Sequence, residues 1–204
     1  MIALVDYGLG NITAFTNIYY QLGLDVVVAE TVDDIRKSNR VILPGVGSFD
    51  WAMKCLNESG LREELDLAVL EEKKPVLGVC VGMQMMAQSS EEGKTPGLGW
   101  LNADVVKLDS TLFTGKTHLP HMGWNSLDII AKDPLFAGIS KPEYYFLHSY
   151  VVRPFCEKNV IAKANYGESF AAALKSDNIY GTQFHPEKSH EWGVRLLKNF
   201  AGIN

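Results

Sequence analysis

Short apolar runs alternate with segments whose apolar residues recur at helical spacing over the first eighty residues. Ile2 to Val5 reads as a strand. The polar turn Asp6-Tyr7-Gly8-Leu9-Gly10-Asn11 follows, with Asn11 placed to cap a helix in which Ile12, Phe15, Ile18 and Leu22 recur before Gly23 stops it. Val26 to Ala29 is a second strand, Thr31 to Ser38 a short helix, and Arg40 to Leu43 a third strand closed by Pro44. After Gly45-Val46-Gly47-Ser48-Phe49 comes helical material through Leu56, then a break at Gly60. Leu61, Leu65, Ala68 and Val69 give another amphipathic helix that leads into a Val76 to Val79 strand. Such alternation predicts a parallel sheet covered on both faces by helices.

Beyond the polar loop Ser89-Ser90-Glu91-Glu92-Gly93 the pattern changes. Val105-Val106, Tyr144 to Val152, Val160 to Ala164, Phe170 to Leu174 and Ile179 to Phe184 have β-like composition and close spacing, which predicts antiparallel strands added to the parallel sheet. Glu191 to Phe200, with Trp192, Leu196, Leu197 and Phe200, reads as a closing helix. No internal repeat or Pro/Ser-rich linker interrupts the chain. The expectation is an α/β fold in one domain over residues 1–204, with a largely parallel central sheet, helices on both faces and antiparallel additions.

Composition narrows the functional classes. The 204 residues are 47% hydrophobic, enough for one sizeable core, and the net charge of -5 leaves no basic footprint for nucleic acid or an anionic membrane. No apolar run reaches the ~18 residues of a membrane span. The N-terminus reaches a polar turn too soon for a signal peptide, so a cytoplasmic protein is expected. Cys55, Cys80 and Cys156 are odd in number and widely spaced, against both a disulfide framework and a paired-cysteine metal site; no metal or cofactor is expected.

Candidate chemistry sits at two strand ends. In Lys74-Pro75-Val76-Leu77-Gly78-Val79-Cys80-Val81-Gly82-Met83-Gln84 the apolar run ends at a cysteine flanked by glycines, ahead of a helix-compatible segment. This strand-turn-helix elbow sets a thiol beside free helix amides, although a cysteine in a valine-rich strand also suits plain core packing. Near the C-terminus, Phe184-His185-Pro186-Glu187 places His185 and Glu187 on one face of extended backbone, which Pro186 favours. A histidine oriented by a carboxylate is the base half of a nucleophilic triad. Gly8-Leu9-Gly10 has Thr13 where a dinucleotide fingerprint needs a third glycine, and Gly45-Val46-Gly47 lacks the lysine and hydroxyl of a phosphate loop. Mobile backbone amides that can meet a developing negative charge are the better use of the second loop.

Gly78-Val79-Cys80-Val81-Gly82-Met83-Gln84 and Phe184-His185-Pro186-Glu187 together resemble the triad signature of class I glutamine amidotransferases. Within that group, Asp6 to Asn11, Pro44 to Phe49, Met122-Gly123-Trp124-Asn125 and Tyr145 to Tyr150 resemble the glutaminase subunits of imidazole glycerol phosphate synthases, from residue 2 to about 200. The resemblance implies a flavodoxin-like sheet and a triad of Cys80, His185 and Glu187. It implies oxyanion donors from the Val46 and Gly47 loop and from Val81, and glutamine contacts from Gly47, Gln84, Glu92, Ser149 and Tyr150, with Glu91 one residue from the same register. The implied partner is a (βα)₈-barrel synthase subunit that receives ammonia, met by Asn11, Trp124, Tyr145 and Lys188. Two alternatives stay open: a paralogous glutaminase feeding an amidino-sugar synthase, and a silent scaffold subunit. Val81, where many relatives carry leucine, and Gly97-Leu98-Gly99-Trp100 are the departures.

Overall fold

The structure is a computed structural model that describes residues 1–114 and 117–203; Gly115, Lys116 and Asn204, which the single-domain expectation spans, lie outside the described residues. In chain order the first half runs β1 (Ile2–Val5), α1 (Ile12–Gln21), β2 (Val26–Ala29), α2 (Val32–Arg36), β3 (Arg40–Gly45), α3 (Phe49–Glu58), α4 (Arg62–Asp66), β4 (Val76–Cys80) and α5 (Val81–Met85). The second half runs β5 (Ser89–Ser90), β6 (Ala103–Lys107), β7 (His121–Ser126), β8 (Asp128–Ile129), β9 (Glu143–His148), β10 (Tyr150–Pro154), β11 (Val160–Tyr166), β12 (Glu168–Ser176), β13 (Ile179–Thr182) and α6 (His190–Ala201).

The main sheet has the order β2-β1-β3-β4-β13-β12-β11-β8. Its β2-β1-β3-β4-β13 half is parallel, and β12, β11 and β8 extend it antiparallel. Helix separates each of the successive strands β1 to β4, the kind of connection that parallel pairing requires. β4 lies at the centre and is buried along its whole length, as its unbroken apolar run requires. Asn11 caps α1 by accepting from the Ala14 amide, and Thr31 with Asp34 forms a capping box on α2.

Three local expectations are corrected. The helix expected over Leu61 to Val69 is α4 followed by a π-helical turn at Leu67–Glu71. The strand expected over Ile179 to Phe184 ends at Thr182. The strand expected over Tyr144 to Val152 breaks at Ser149: β9 pairs with β7 in a two-stranded ribbon, while β10 pairs with β6 in a separate three-stranded sheet with β5. Both halves are β-like in composition, so periodicity alone does not show the change of partner. The ribbon alternates strictly, with His121, Tyr144, Phe146 and His148 turned inward and Met122, Trp124 and Leu147 turned out.

Candidate active site

Cys80 closes β4 with φ 56° and ψ -114°, a conformation an L residue adopts only when its surroundings enforce it. The enforcement is close packing of backbone on backbone. A Cβ on Gly82 would lie 2.0 Å from the Leu43 carbonyl oxygen, and one on Gly45 would lie 2.3 Å from the Gly82 nitrogen. Strand β3 and the start of α5 therefore touch through glycine, and the elbow is held between them.

β13 runs parallel to β4 with Thr182 opposite Val79, so the chain beyond Thr182 reaches the same edge of the sheet as Cys80. His185, 2% exposed, lines the same cavity as Cys80 and places Nδ1 2.8 Å from Glu187 Oε1. The other carboxylate oxygen of Glu187 is buried and has no partner among the described residues, so the carboxylate acts on the imidazole alone. Burial works against a charged His185, and the charge and hydrogen bond of Cys80, reinforced by Glu187, outweigh it and raise its pKa to about 10. The imidazole is thus held protonated beside Cys80 and oriented by Glu187.

A cavity of about 320 Å³ opens over the thiol, lined among others by Val46, Gly47, Val81, Glu92, Ser149 and Tyr150. Its size falls within the usual range for small-molecule sites, roughly 300–1,000 Å³. Gly47 has φ +87°, a left-handed conformation suited to a loop that turns its amides toward the cavity. Glu92 accepts from the Phe49 amide at 2.9 Å at the start of α3, with its carboxylate at the cavity wall. Glu91 accepts from the Lys107 amide instead and does not line the cavity. A larger cleft, about 910 Å³, lies between Leu127 and Pro142 and shares no lining residue with the cavity over the thiol.

Gln84 differs from expectation. It is 2% exposed, does not line the cavity, and donates Nε2 to the Tyr150 carbonyl at 3.0 Å and to Gln183 Oε1 at 3.1 Å. Its helical spacing from Cys80 aims it inward, under the segment that lines the cavity. Sequence reasoning also passed over Gln183, His148 and His121. A glutamine inside an otherwise apolar strand end was the available signal for Gln183, because a buried polar group demands a partner.

The expected docking residues lie mostly on one face. Trp124, 46% exposed, stacks on His190 with ring centroids 5.1 Å apart and meets Tyr145 edge-on at 6.3 Å; Lys188 Nζ sits 5.8 Å from the Tyr145 ring centroid. The Tyr145 carbonyl accepts from the His185 amide at 2.9 Å, and the Tyr145 amide donates to Ser189 Oγ, which itself donates to the His185 carbonyl. The ribbon and the triad histidine are thus joined through the main chain. Asn11 belongs to the β1–α1 turn, whose Gly10 packs against Pro44 just ahead of the Val46 loop.

An elbow cysteine, a histidine and a carboxylate at adjacent parallel strand ends define a cysteine-nucleophile amidotransferase arrangement on an α/β sheet. The chain matches the family model "Glutamine amidotransferase class-I" over residues 3–202, and it belongs to that family. It is 50% identical over 204 residues to the "Imidazole glycerol phosphate synthase subunit HisH" of Bdellovibrio bacteriovorus and 46% identical to that of Leptospira interrogans, with all of each chain covered. The "subunit HisH 2" of Pseudomonas aeruginosa is 42% identical over the same span. A solved glutamine amidotransferase superposes with TM-score 0.77 at 19% identity, covering 100% of both chains, which shows the shared fold.

Proposed function

We propose that this chain is the glutaminase subunit that hydrolyses L-glutamine and passes ammonia to a (βα)₈-barrel synthase subunit, which forms imidazole glycerol phosphate and aminoimidazole carboxamide ribotide in histidine biosynthesis. The observation that carries the reading is the Cys80, His185 and Glu187 constellation beside one cavity, in a chain similar over its whole length to HisH subunits. The eight-stranded sheet linking residues 2 to 182 supports a single domain. Three unpaired cysteines support a reducing, cytoplasmic setting, and among the described residues no helix is long and apolar enough to cross a membrane.

The chemistry follows from the geometry. The Cys80 thiolate attacks the side-chain carbonyl carbon of glutamine, and the oxygen takes the developing charge. Val81, first residue of α5, has an amide without an intrahelical acceptor, and the Val46 and Gly47 loop supplies a second donor. His185 gives its proton to the departing nitrogen, so ammonia leaves and a glutamyl thioester remains. His185, neutral again and oriented by Glu187, then takes a proton from water, which hydrolyses the thioester to glutamate. Gly47, Glu92, Ser149 and Tyr150 hold the substrate from the cavity wall, with Glu92 facing its ammonium group. Gln84 acts from beneath Tyr150.

The partner docks on the face that carries Trp124, Tyr145 and Lys188, with Asn11 at its margin. Its position fits, because this face is tied to His185 through Tyr145. The test is glutamine hydrolysis by the chain alone and with a (βα)₈-barrel synthase subunit of histidine biosynthesis. Partner-stimulated turnover with ammonia incorporated into product is expected. Absence of turnover in both would leave a binding subunit in place of an enzyme.

A further inference from the structure

Gln183 lies just beyond β13, wholly buried between the Gln84 side chain and the Cys80 sulfur. Its orientation follows from donor and acceptor choices that begin at a backbone carbonyl. The Tyr150 carbonyl can only accept, so the Gln84 group 3.0 Å from it is the NH₂. That NH₂ also lies 3.1 Å from Gln183, which therefore presents its oxygen. The Gln183 NH₂ then faces Cys80 Sγ at 3.8 Å. Flipping Gln84 would set its oxygen against the Tyr150 carbonyl; flipping Gln183 alone would set two NH₂ groups together. Either leaves buried groups unpaired, at a cost of about 1–3 kcal/mol each.

Two contacts at the sulfur favour opposite protonation states. The Leu147 carbonyl, 3.8 Å from Sγ, accepts from the neutral thiol S–H. An N–H donor on the other side favours the thiolate, since a charged sulfur is a much better acceptor than a thiol. The titratable groups near the thiol are otherwise His185 with Glu187 behind it, the neutral His148, the Tyr7 phenol, and Glu92 and Lys188 at the cavity wall.

We propose that Gln183 is a further catalytic residue, whose side-chain N–H donates to the Cys80 sulfur and stabilises the attacking thiolate, and that Gln84 is the positioning residue that keeps this donor aimed. The proposal rests on Cys80 being the nucleophile of the glutaminase reading. Gln84 thereby gains a second role, since its contact with the Tyr150 carbonyl ties the substrate wall to the nucleophile's environment.

The test is alkylation of the full chain by iodoacetamide across pH, with Cys80 and the exposed Cys156 followed separately by peptide mass spectrometry. In the unaltered chain, Cys80 reacts at lower pH than Cys156. Gln183→Met removes the donor at similar length; about 10-fold slower Cys80 alkylation at pH 6.5 and a midpoint moved to higher pH are expected, with Cys156 unchanged. The acid limb of kcat/KM for glutamine moves the same way. Gln183→Glu keeps the length and the Gln84 contact but turns an acceptor toward sulfur, so it moves the midpoint further; it serves if the methionine variant does not fold. Gln84→Met moves it in the same direction by less. Folded Gln183 variants with the unaltered midpoint overturn the proposal. A Cys80 midpoint equal to that of Cys156 in the unaltered chain would instead remove the nucleophile reading beneath it.

Discussion

His185 is charged because of its neighbours and in spite of its burial. Its pKa near 10 depends first on overcoming desolvation, and Cys80 supplies most of what does so. Cys80→Ala is therefore expected to lower the His185 titration midpoint, read from the imidazole NMR shifts; an unmoved midpoint would mean that Glu187 alone holds the proton. Glu187→Gln leaves the ring without its orienting charge, and a fall in kcat of about 10²-fold or more is expected with little change in glutamine KM. At Gly82 the constraint is steric. A methyl group there meets the Leu43 carbonyl oxygen at 2.0 Å, so Gly82→Ala should lower stability by about 1–3 kcal/mol in denaturant unfolding, with activity falling as the elbow shifts.

Strand by strand, β1 to β4 were legible because each is a short apolar run set off by polar, Gly or Pro residues and alternating with segments of helical spacing. The break at Ser149 was not, since β9 and β10 each satisfy a strand pattern and only their partners differ. The His121 and His148 pair that joins β7 to β9 was equally hidden, as its partners lie 27 residues apart. The His148 Nδ1–H donates to the Tyr150 carbonyl at 3.1 Å, so its Nε2 accepts from His121 Nδ1 at 3.0 Å, and both rings are neutral. Burial lowers the pKa of His121 to about 4; burial, with the nearby charges of His121 and His185, lowers that of His148 to about 3. Unfolded, both titrate near ~6.5, so between those limits the unfolded chain binds more protons. Their contribution to stability is present above pH ~6.5 and lost as pH falls toward 4 and then 3. His121→Phe keeps the stack with Phe146 and Tyr166 and removes one of the two protons, so the loss of urea midpoint from pH 7 to pH 4.5 should be smaller than in the unaltered chain.

At the scale of the whole molecule, the sheet brings residues from four distant stretches to one edge, and the ribbon β7–β9 stands beside it with an exposed aromatic face. The triad, the Val46 loop and the cavity wall were legible from short motifs, because each motif carries a backbone requirement as well as a side chain. Gln183 escaped because its partner is 99 residues away and its meaning is a hydrogen bond, which leaves no periodic trace. Trp124 is half-exposed on the proposed docking face, so Trp124→Ala should weaken partner binding by about 2 kcal/mol or more, roughly 30-fold in Kd, while the thermal midpoint of the free chain stays nearly constant. An equal loss of both would place Trp124 in the fold and not in the interface. The glutaminase assignment is tested most directly by the Cys80→Ala chain assembled with the proposed (βα)₈-barrel synthase subunit and assayed for product formation from glutamine and, separately, from added ammonium. No glutamine-dependent synthesis is expected, with ammonia-dependent synthesis close to that of the unaltered complex; sustained synthesis from glutamine would contradict the role given to Cys80.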